Sequence, residues 1–416
     1  MNAIHEAATT TAESSSPTLM SLRTLMQAAH SNQDLRPLVA ALIARVQAHP
    51  DDAYALMDLS LVLQMLGDHA LAMNVQAEAL QMQRLYHVVA PSRDEVRLRV
   101  LAIMVSGDLM SNTPLECLLH DSDIALDALY VTPDGPLPDA VPEHDVLFIA
   151  VGESDRTQPV LEHLRELAAI WPRPVLNMPE RVQRLSRDAA ASALAGLPGV
   201  CMPITARVDR QALDDIAHAR KALSLVLPDG CFPIIVRPLG SHAGKGLEKI
   251  DDPAALIDYL AQSTASAFYV SRFIDYRSAD GQFRKYRIAL IGGRPYVCHV
   301  GISDHWMIHY LNAGMTESQA KRDEEAAIMR DFDHGFALRH RGALALIEER
   351  MDLDYLGLDC AETPAGDLLV FEVDTAMVVH DIDPVDLFPY KQPQMHKVFD
   401  AFRALLVHAS ESVHVE

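Results

Sequence analysis

Three carboxylates stand out because each sits on an otherwise apolar background. Asp359 falls in the run Tyr355–Cys360, and Glu372 and Asp374 lie at the end of the run that begins at Leu368. The two runs read as neighbouring strands joined by the turn Thr363-Pro-Ala-Gly-Asp367. Glu372 and Asp374 are two residues apart, so a pleated strand points both to one face. Three carboxylates facing one place repel each other and lose hydration unless a cation lies between them. Hard oxygen ligands suit Mg²⁺, which keeps several waters and is shared with substrate phosphates. The pattern predicts a nucleotide site with Asp359, Glu372 and Asp374 as metal ligands.

The phosphates then need a cradle. Phe232–Pro238 reads as a strand that ends in Arg237-Pro238. Leu239-Gly240-Ser241-His242-Ala243-Gly244-Lys245-Gly246 follows, and then a second strand-like run, Leu247–Ile250. Glycines let backbone N–H groups approach an anion closely, while Lys245 and Arg237 add positive charge. This is not a P-loop, because Gly246 follows Lys245 where Ser or Thr is required, and no helix start comes after it. A plain surface hairpin shares the local pattern. The downstream carboxylates are what favour a glycine-rich hairpin covering phosphates.

From about Val96 to Leu406 the chain resembles the ATP-grasp superfamily, and within it the ribosomal-S6-modification-like and glutathione-synthetase-like carboxylate–amine ligases. Pro174–Glu180, followed by a helix and Gly199–Pro203, is similar to the entry to the first ATP-grasp subdomain; Phe232–Ile250 is similar to the strand and loop that close over the triphosphate. Phe268–Ile274 resembles the hinge strand whose backbone contacts adenine, which implies nucleotide contacts at Tyr269, Val270, Arg272 and Phe273. Lys285-Tyr-Arg287 resembles the central hairpin that brings basic residues to the phosphates, and the carboxylate trio falls where the family keeps its magnesium ligands.

The resemblance implies an α/β chain with an α+β clamp: an ATP-grasp fold preceded by a small parallel α/β domain and an N-terminal helical hairpin or bundle. It also implies an ATP-dependent ligase using one or two Mg²⁺ ions, with Mn²⁺ as a substitute. A carboxylate would be activated as an acyl phosphate and captured by an amine or thiol, releasing ADP and phosphate. Arg237, Ser241, Gly244, Lys245 and Gly246 would hold the triphosphate, with Lys285 beside them. Arg287 would stabilise the transferring phosphoryl group and then the oxyanion. Ser303 or His305 would orient the acceptor.

Three departures qualify that resemblance. Asp374 stands where the family has Asn, and Arg237-Pro238 stands where Lys-Pro is usual, so phosphate would meet a fork and not a point charge. The family's early lysine is replaced by Asp188 or Arg187. These changes keep two alternatives open: a non-catalytic ATP-binding module that regulates a partner held by the N-terminal helices, and a small-molecule kinase on the same fold.

The segment His299–Tyr310 is polar and aromatic. His305 and His309 are four apart, a zinc-compatible spacing on a helix, but the glutamate of HExxH is missing. No G-x-S-x-G elbow and no Cys–His pair points to nucleophilic hydrolysis. His380-Asp381-Ile-Asp383 follows the carboxylate strand and either meets the acceptor or ends the sheet.

Four segments position these residues. Residues 18–92 read as helical, with one tetratricopeptide-like hairpin around Leu66-Gly67 that either docks a protein or peptide or stabilises its neighbour. Residues 93–178 alternate strand and helix, with strands at Val96–Val105, Asp145–Gly152 and Pro174–Leu176, which predicts a parallel sheet. The loop Gly107–Pro114 lies at the carboxyl end of the first of these strands, where open α/β sheets bind ligands. Residues 179–416 form the clamp, with helices expected near 181–195, 207–224, 316–331, 335–350 and 399–407. Residues 1–17 are Ser/Thr-rich without a basic start or apolar core, which predicts a disordered tail and not a signal peptide.

A chain of 416 residues suits two or three packed units. Its net charge of −22 argues against a nucleic-acid partner. No run of eighteen apolar residues suggests a membrane span. Five scattered cysteines without a CxxC pair support neither a disulfide framework nor structural zinc, so a cytoplasmic location is expected. The substrates are a small-molecule or peptide carboxylate and amine of unspecified identity, and homo-oligomerisation stays open.

Overall fold

The computed structural model describes residues 17–89, 96–133, 135, 138, 141–241 and 244–412. All of the expected N-terminal tail except Pro17 lies outside these residues, as do residues 90–95 at the expected boundary after the helical segment. The chain forms two compact units: residues 1–182, 353–355 and 375–416, and residues 183–352 and 356–374. The segment 375–416, expected in the clamp, therefore clusters with the N-terminal unit.

The first unit opens with four helices: α1 (Leu22–His30), α2 (Arg36–Ala48), α3 (Ala53–Met65) and α4 (His69–Met82). Asp52 and Asp68 start α3 and α4 by accepting the free amides of Ala55 and Leu71. Between these two helices Gly67 turns at φ +84°, and the amides of Gly67 and Asp68 close on the carbonyls of Gln64 and Leu63. That is a left-handed helix stop, which glycine adopts without steric penalty. Gly67→Ala is expected to destabilise the protein by about 1 kcal/mol, read as a lower urea midpoint with unchanged slope. The helices share an apolar core that includes Leu25, Leu42, Leu59, Val62 and Ala72.

Strands β1 (Leu85–Val89), β2 (Leu98–Val105), β3 (Ile124–Val131), β4 (Val146–Ile149) and β5 (Val175–Leu176) form one sheet, in the order β1-β3-β2-β4-β5. The four strands from β2 to β5 are parallel, as expected, whereas β1 is antiparallel to β3. β1 corrects the all-helical reading of residues 18–92. It forms because Tyr86 is fully buried, edge-on to the rings of Tyr54 (5.1 Å between centroids) and Tyr130 (5.9 Å). Helices α5 (Leu115–Leu118), α6 (Gln158–Ala169) and α7 (Pro179–Val182) belong to this unit. So does the C-terminal helix Lys391–Glu411, longer than expected, whose Phe402 packs on Phe148 and Tyr355.

The second unit contains α8 (Arg187–Leu194), β6 (Val200–Cys201), β7 (Thr205–Asp209), α9 (Arg210–Ala217), β8 (Ile234–Pro238), β9 (Glu248–Ile250), α10 (Pro253–Gln262) and β10 (Ala267–Arg272). It continues with β11 (Phe283–Ile291), β12 (Arg294–Ser303), α11 (Gln319–Arg330), α12 (Phe336–Arg339), α13 (Arg341–Met351), β13 (Tyr355–Glu362) and β14 (Leu368–Asp374). The single helix expected over 335–350 is broken at His340, which is buried and contacts the Glu362 carboxylate at 3.0 Å. An antiparallel sheet β7-β10-β8-β9 packs on α9 and α10 through Leu213, Ile234, Val236, Leu256 and Phe268. A second sheet runs β12-β11-β13-β14-β6.

Candidate active site

The carboxylate hairpin forms as its sequence predicts. Thr363 closes the turn by receiving the amide of Gly366 and donating to Asp367, and β13 pairs antiparallel with β14. The register sets Asp359 opposite Glu372 and Gly357 opposite Asp374. Directly opposed residues share a face of the sheet, and so do Glu372 and Asp374 by their spacing.

What the sequence did not reveal is that chain cations already occupy two of the three carboxylates. Lys285 and Arg287 lie two apart on β11, so they emerge on one face, and β11 neighbours β13. Arg287 forks onto both oxygens of Asp359 at 2.8 and 3.0 Å, and Lys285 Nζ reaches Oδ2 at 2.6 Å. Asp359 is only 2% exposed. Burial alone would raise its pKa, but Arg287 and Lys285 hold its carboxyl far below the usual range. Glu372 is bound by the guanidinium of Arg187, which also donates to the Phe371 carbonyl at 3.2 Å. Here too burial opposes ionisation, and Arg187 and Arg237 overcome it. Arg187 is presented by the start of α8, where the Ser186 side chain caps the helix. The other residue considered there, Asp188, pairs instead with Arg207 at 3.0 Å.

This arrangement corrects the expectation of a ready metal site. Among the described residues, no group of three or more His, Cys, Asp or Glu side chains converges as a metal cage. As arranged the trio does not fit a resident divalent cation, because an incoming ion would have to displace Lys285, Arg287 and Arg187 from their carboxylates. Titrating Mg²⁺ or Mn²⁺ into nucleotide-free protein is accordingly expected to give no saturable heat below the millimolar range in calorimetry. A tight metal isotherm would show that these ion pairs open on their own.

The glycine-rich hairpin follows β8, whose Arg237 lies near Arg187 and Glu372. Gly240, Gly244 and Gly246 all have φ near +70°. A Cβ on Gly246 would press on the Pro238 ring at 3.0 Å, so only glycine fits the close return of the loop to β8. His242 and Ala243, within this loop, lie outside the described residues. Lys245 is exposed on the loop. Gly244 lies 3.7 Å from the Met307 sulfur, measured from where a Cβ would stand, so the loop reaches the 303–310 segment of the other sheet.

Arg237, at the end of β8, is the most informative side chain. It is 8% exposed, and its guanidinium hydrogen-bonds the carbonyl and hydroxyl of Ser241, both neutral. Among the described residues, no carboxylate lies within ion-pair distance of it. Burial lowers its pKa most, the nearby Arg187 lowers it further and Glu372 partly compensates, leaving it at about 10. A buried cation held by neutral oxygens lacks a counter-anion.

The expected hinge is partly corrected. Tyr269 and Val270 lie in the middle of β10, which pairs with β7 on one side and β8 on the other. Their main-chain groups are taken up by those ladders, and Val270 is core. Arg272 is exposed at the strand end, and Phe273 donates its amide to the Pro233 carbonyl at 3.0 Å. The Phe273 ring packs edge-on against Trp306 at 5.7 Å, beneath Lys249 at 5.0 Å. These contacts tie the end of β10 to the segment after β12.

Ser303 and His305 are drawn into local structure. The Ser303 hydroxyl accepts the His305 amide at 3.1 Å, and His305 Nδ1 accepts the Met307 amide at 3.2 Å. His309, read only as a zinc partner, is the histidine beside the cations. Partial burial, then Lys285 and Arg287, hold its pKa below the ordinary value. His309 and His305 are in extended and loop backbone and not on a helix, which removes the shared helical face that zinc would need. Asp381 and Asp383 are also committed elsewhere, to Arg23 at 2.7 Å and Lys391 at 3.0 Å, within the first unit.

No protein-family model matches the chain, and no curated protein matches it in sequence. Among solved structures it is similar to the VanG D-Ala:D-Ser ligase of Enterococcus faecalis, at 13% identity and a TM-score of 0.44 over 74% of this chain and 99% of that one. It is also similar to a RimK domain ATP-grasp protein of Sphaerobacter thermophilus (14%, 0.41, covering 74% and 99%). A third is the D-alanyl-alanine synthetase A of Vibrio cholerae (12%, 0.47, covering 76% and 99%). The chemistry open to this site follows from its own residues, Arg237 foremost.

Proposed function

We propose that the chain is an ATP-dependent carboxylate–amine ligase. The observation that carries this reading is Arg237: a buried guanidinium with no carboxylate partner among the described residues, near Arg187, under a hairpin of left-handed glycines. A triphosphate supplies the missing negative charge, and Lys245 is close in sequence to meet its outer oxygens. Phe273 and Trp306 offer an apolar wall for the base.

In the reaction, a substrate carboxylate oxygen attacks the γ-phosphorus, the bond to the bridging oxygen breaks and ADP leaves. The amine nitrogen then attacks the acyl carbon, and the C–O bond to phosphate breaks. The nitrogen loses its proton to solvent, giving an amide. Arg287 and Lys285, now paired with Asp359, would turn to the negative charge that accumulates in both steps, and no protein nucleophile is required. The ion pairs on Asp359 and Glu372 favour a second reading, a nucleotide-binding module that does not turn over.

Incubation with Mg²⁺-ATP and a pool of amino acids, small carboxylates and peptides separates these readings. The ligase yields ADP together with a mass equal to two pool members less water. A mass raised by one phosphate would assign a kinase. ATP binding without ADP would favour the regulatory module.

A further inference from the structure

The loop Gly107–Pro114, at the carboxyl end of β2, forms one wall of a cavity whose other wall is the N-terminal helical segment. All of it lies in the first unit. The cavity measures about 80 Å³ and is lined by Leu61, Met104, Leu126 and Tyr130, with Gln64 of α3 and Thr113 of the loop. At about 10–15 Å³ of such space per water, it has room for a small ligand of about five non-hydrogen atoms.

Two observations point to an occupant. Gln64 and Thr113 are 6% and 1% exposed, and among the described residues neither the oxygen nor the nitrogen of the Gln64 amide, nor the Thr113 hydroxyl, has a hydrogen-bond partner. Buried polar groups are ordinarily paired, and each one left unpaired is costly. Their neighbours do not suffer this fate: Gln76 clamps both main-chain groups of Gly107, and Asn112 does the same for Val105. The loop is thus held rigidly by two side-chain amides while a third faces the cavity unused.

The lining also selects a charge. Among the described residues it contains the carboxylates of Asp108 and Glu116 and no cationic side chain. Glu116 is taken up by the Ser21 hydroxyl and the first amides of α1, and Asp108 by the Met110 amide and the Ser111 hydroxyl. Asp58 is a further buried carboxylate near Glu116, its pKa raised to about 7 by burial. This environment disfavours an anion. An unpaired carboxamide offers one acceptor and two donors, and the group that matches it atom for atom is another carboxamide.

We infer that this cavity is a binding site for a short aliphatic primary amide, paired through its carboxamide to Gln64 and Thr113. The inference is independent of the ligase reading, since none of these residues belongs to the nucleotide cleft.

Methionine-methyl NMR on the full chain tests it, because Met20 and Met104 line the cavity. Propionamide, propionate and propylammonium serve as probes. Propionamide is expected to shift the Met20 and Met104 signals saturably, with millimolar affinity, as suits so few atoms. Propionate and propylammonium are expected to bind about tenfold more weakly or less, and Gln64→Leu to weaken propionamide by about tenfold while the other methionine signals stay in place. If Gln64→Leu disturbs the fold, Thr113→Val provides the same comparison. Unmoved signals with all three probes would mean that the cavity holds only water, and would overturn the proposal. So would equal binding of propionate, or propionamide binding that survives both substitutions.

Discussion

Arg237→Met is expected to weaken ATP binding about a hundredfold while leaving the protein at least as stable as the parent. The two effects have one cause. In the free protein the guanidinium is buried among neutral oxygens and near a second cation, which is why its pKa falls to about 10. It stays charged at neutral pH, so the fold carries the desolvation of a cation without a matching anion. Methionine fills similar space without that charge. A triphosphate, by contrast, loses a charge-assisted and potentially bidentate contact, a loss of about 2–3 kcal/mol. Calorimetry with ATP and urea unfolding on the same preparation give both quantities. Retained ATP affinity with a large fall in stability would make Arg237 a structural residue and remove the main support for a nucleotide site.

The features legible in sequence were those with local causes. The turn Thr363–Asp367 announces itself through Pro, Gly and Asp, and with it come the β13–β14 hairpin and the shared face of Glu372 and Asp374. The turn at Leu66-Gly67 is similarly local. β1 was not legible, because five residues following a helical pattern carry no period of their own. Tyr86 becomes a strand residue only once Tyr54 and Tyr130 enclose it. β3 was hidden by Asp127, which interrupts an apolar run and in the fold contacts His87 Nδ1 at 2.5 Å.

The candidate site divides the same way. Its residue types were readable, but their pairing was not. Arg287 and Asp359 are far apart in sequence, and nothing local says that a guanidinium on β11 will fork onto a carboxylate on β13. Three clustered carboxylates need positive charge, and sequence reasoning supplied a metal where the chain supplies Lys285, Arg287 and Arg187. The one available signal was the alternation of Lys285 and Arg287 on a strand, which puts two cations on one face. The hinge was misplaced for a related reason: a run such as Phe268–Ile274 gives no sign of whether its strand is central or at an edge, and Val270 proves central.

Asp359→Asn is expected to destabilise the second unit by about 2–3 kcal/mol at neutral pH, because it leaves the partly buried charges of Lys285 and Arg287 without their counter-ion. The pH dependence identifies the cause. The folded pKa of Asp359 lies well below its ordinary value of about 3.9, so the unfolded chain takes up the proton first as pH falls. The stabilisation from this carboxylate is therefore complete above about pH 5 and is lost progressively as pH falls through 4 and toward the folded pKa. Glu372 shifts in the same direction through Arg187 and adds a similar dependence that Asp359→Asn leaves in place. The variant should thus show a shallower fall in unfolding free energy between pH 5 and 2 than the parent, not merely a lower curve. Adding Lys285→Met and Arg287→Met to Asp359→Leu removes all three charges and should recover much of the loss, since an apolar replacement of a whole buried ion cluster is often neutral. Parallel pH curves for parent and Asp359→Asn, or no recovery in the triple variant, would mean that the carboxylate acts through packing and not through charge.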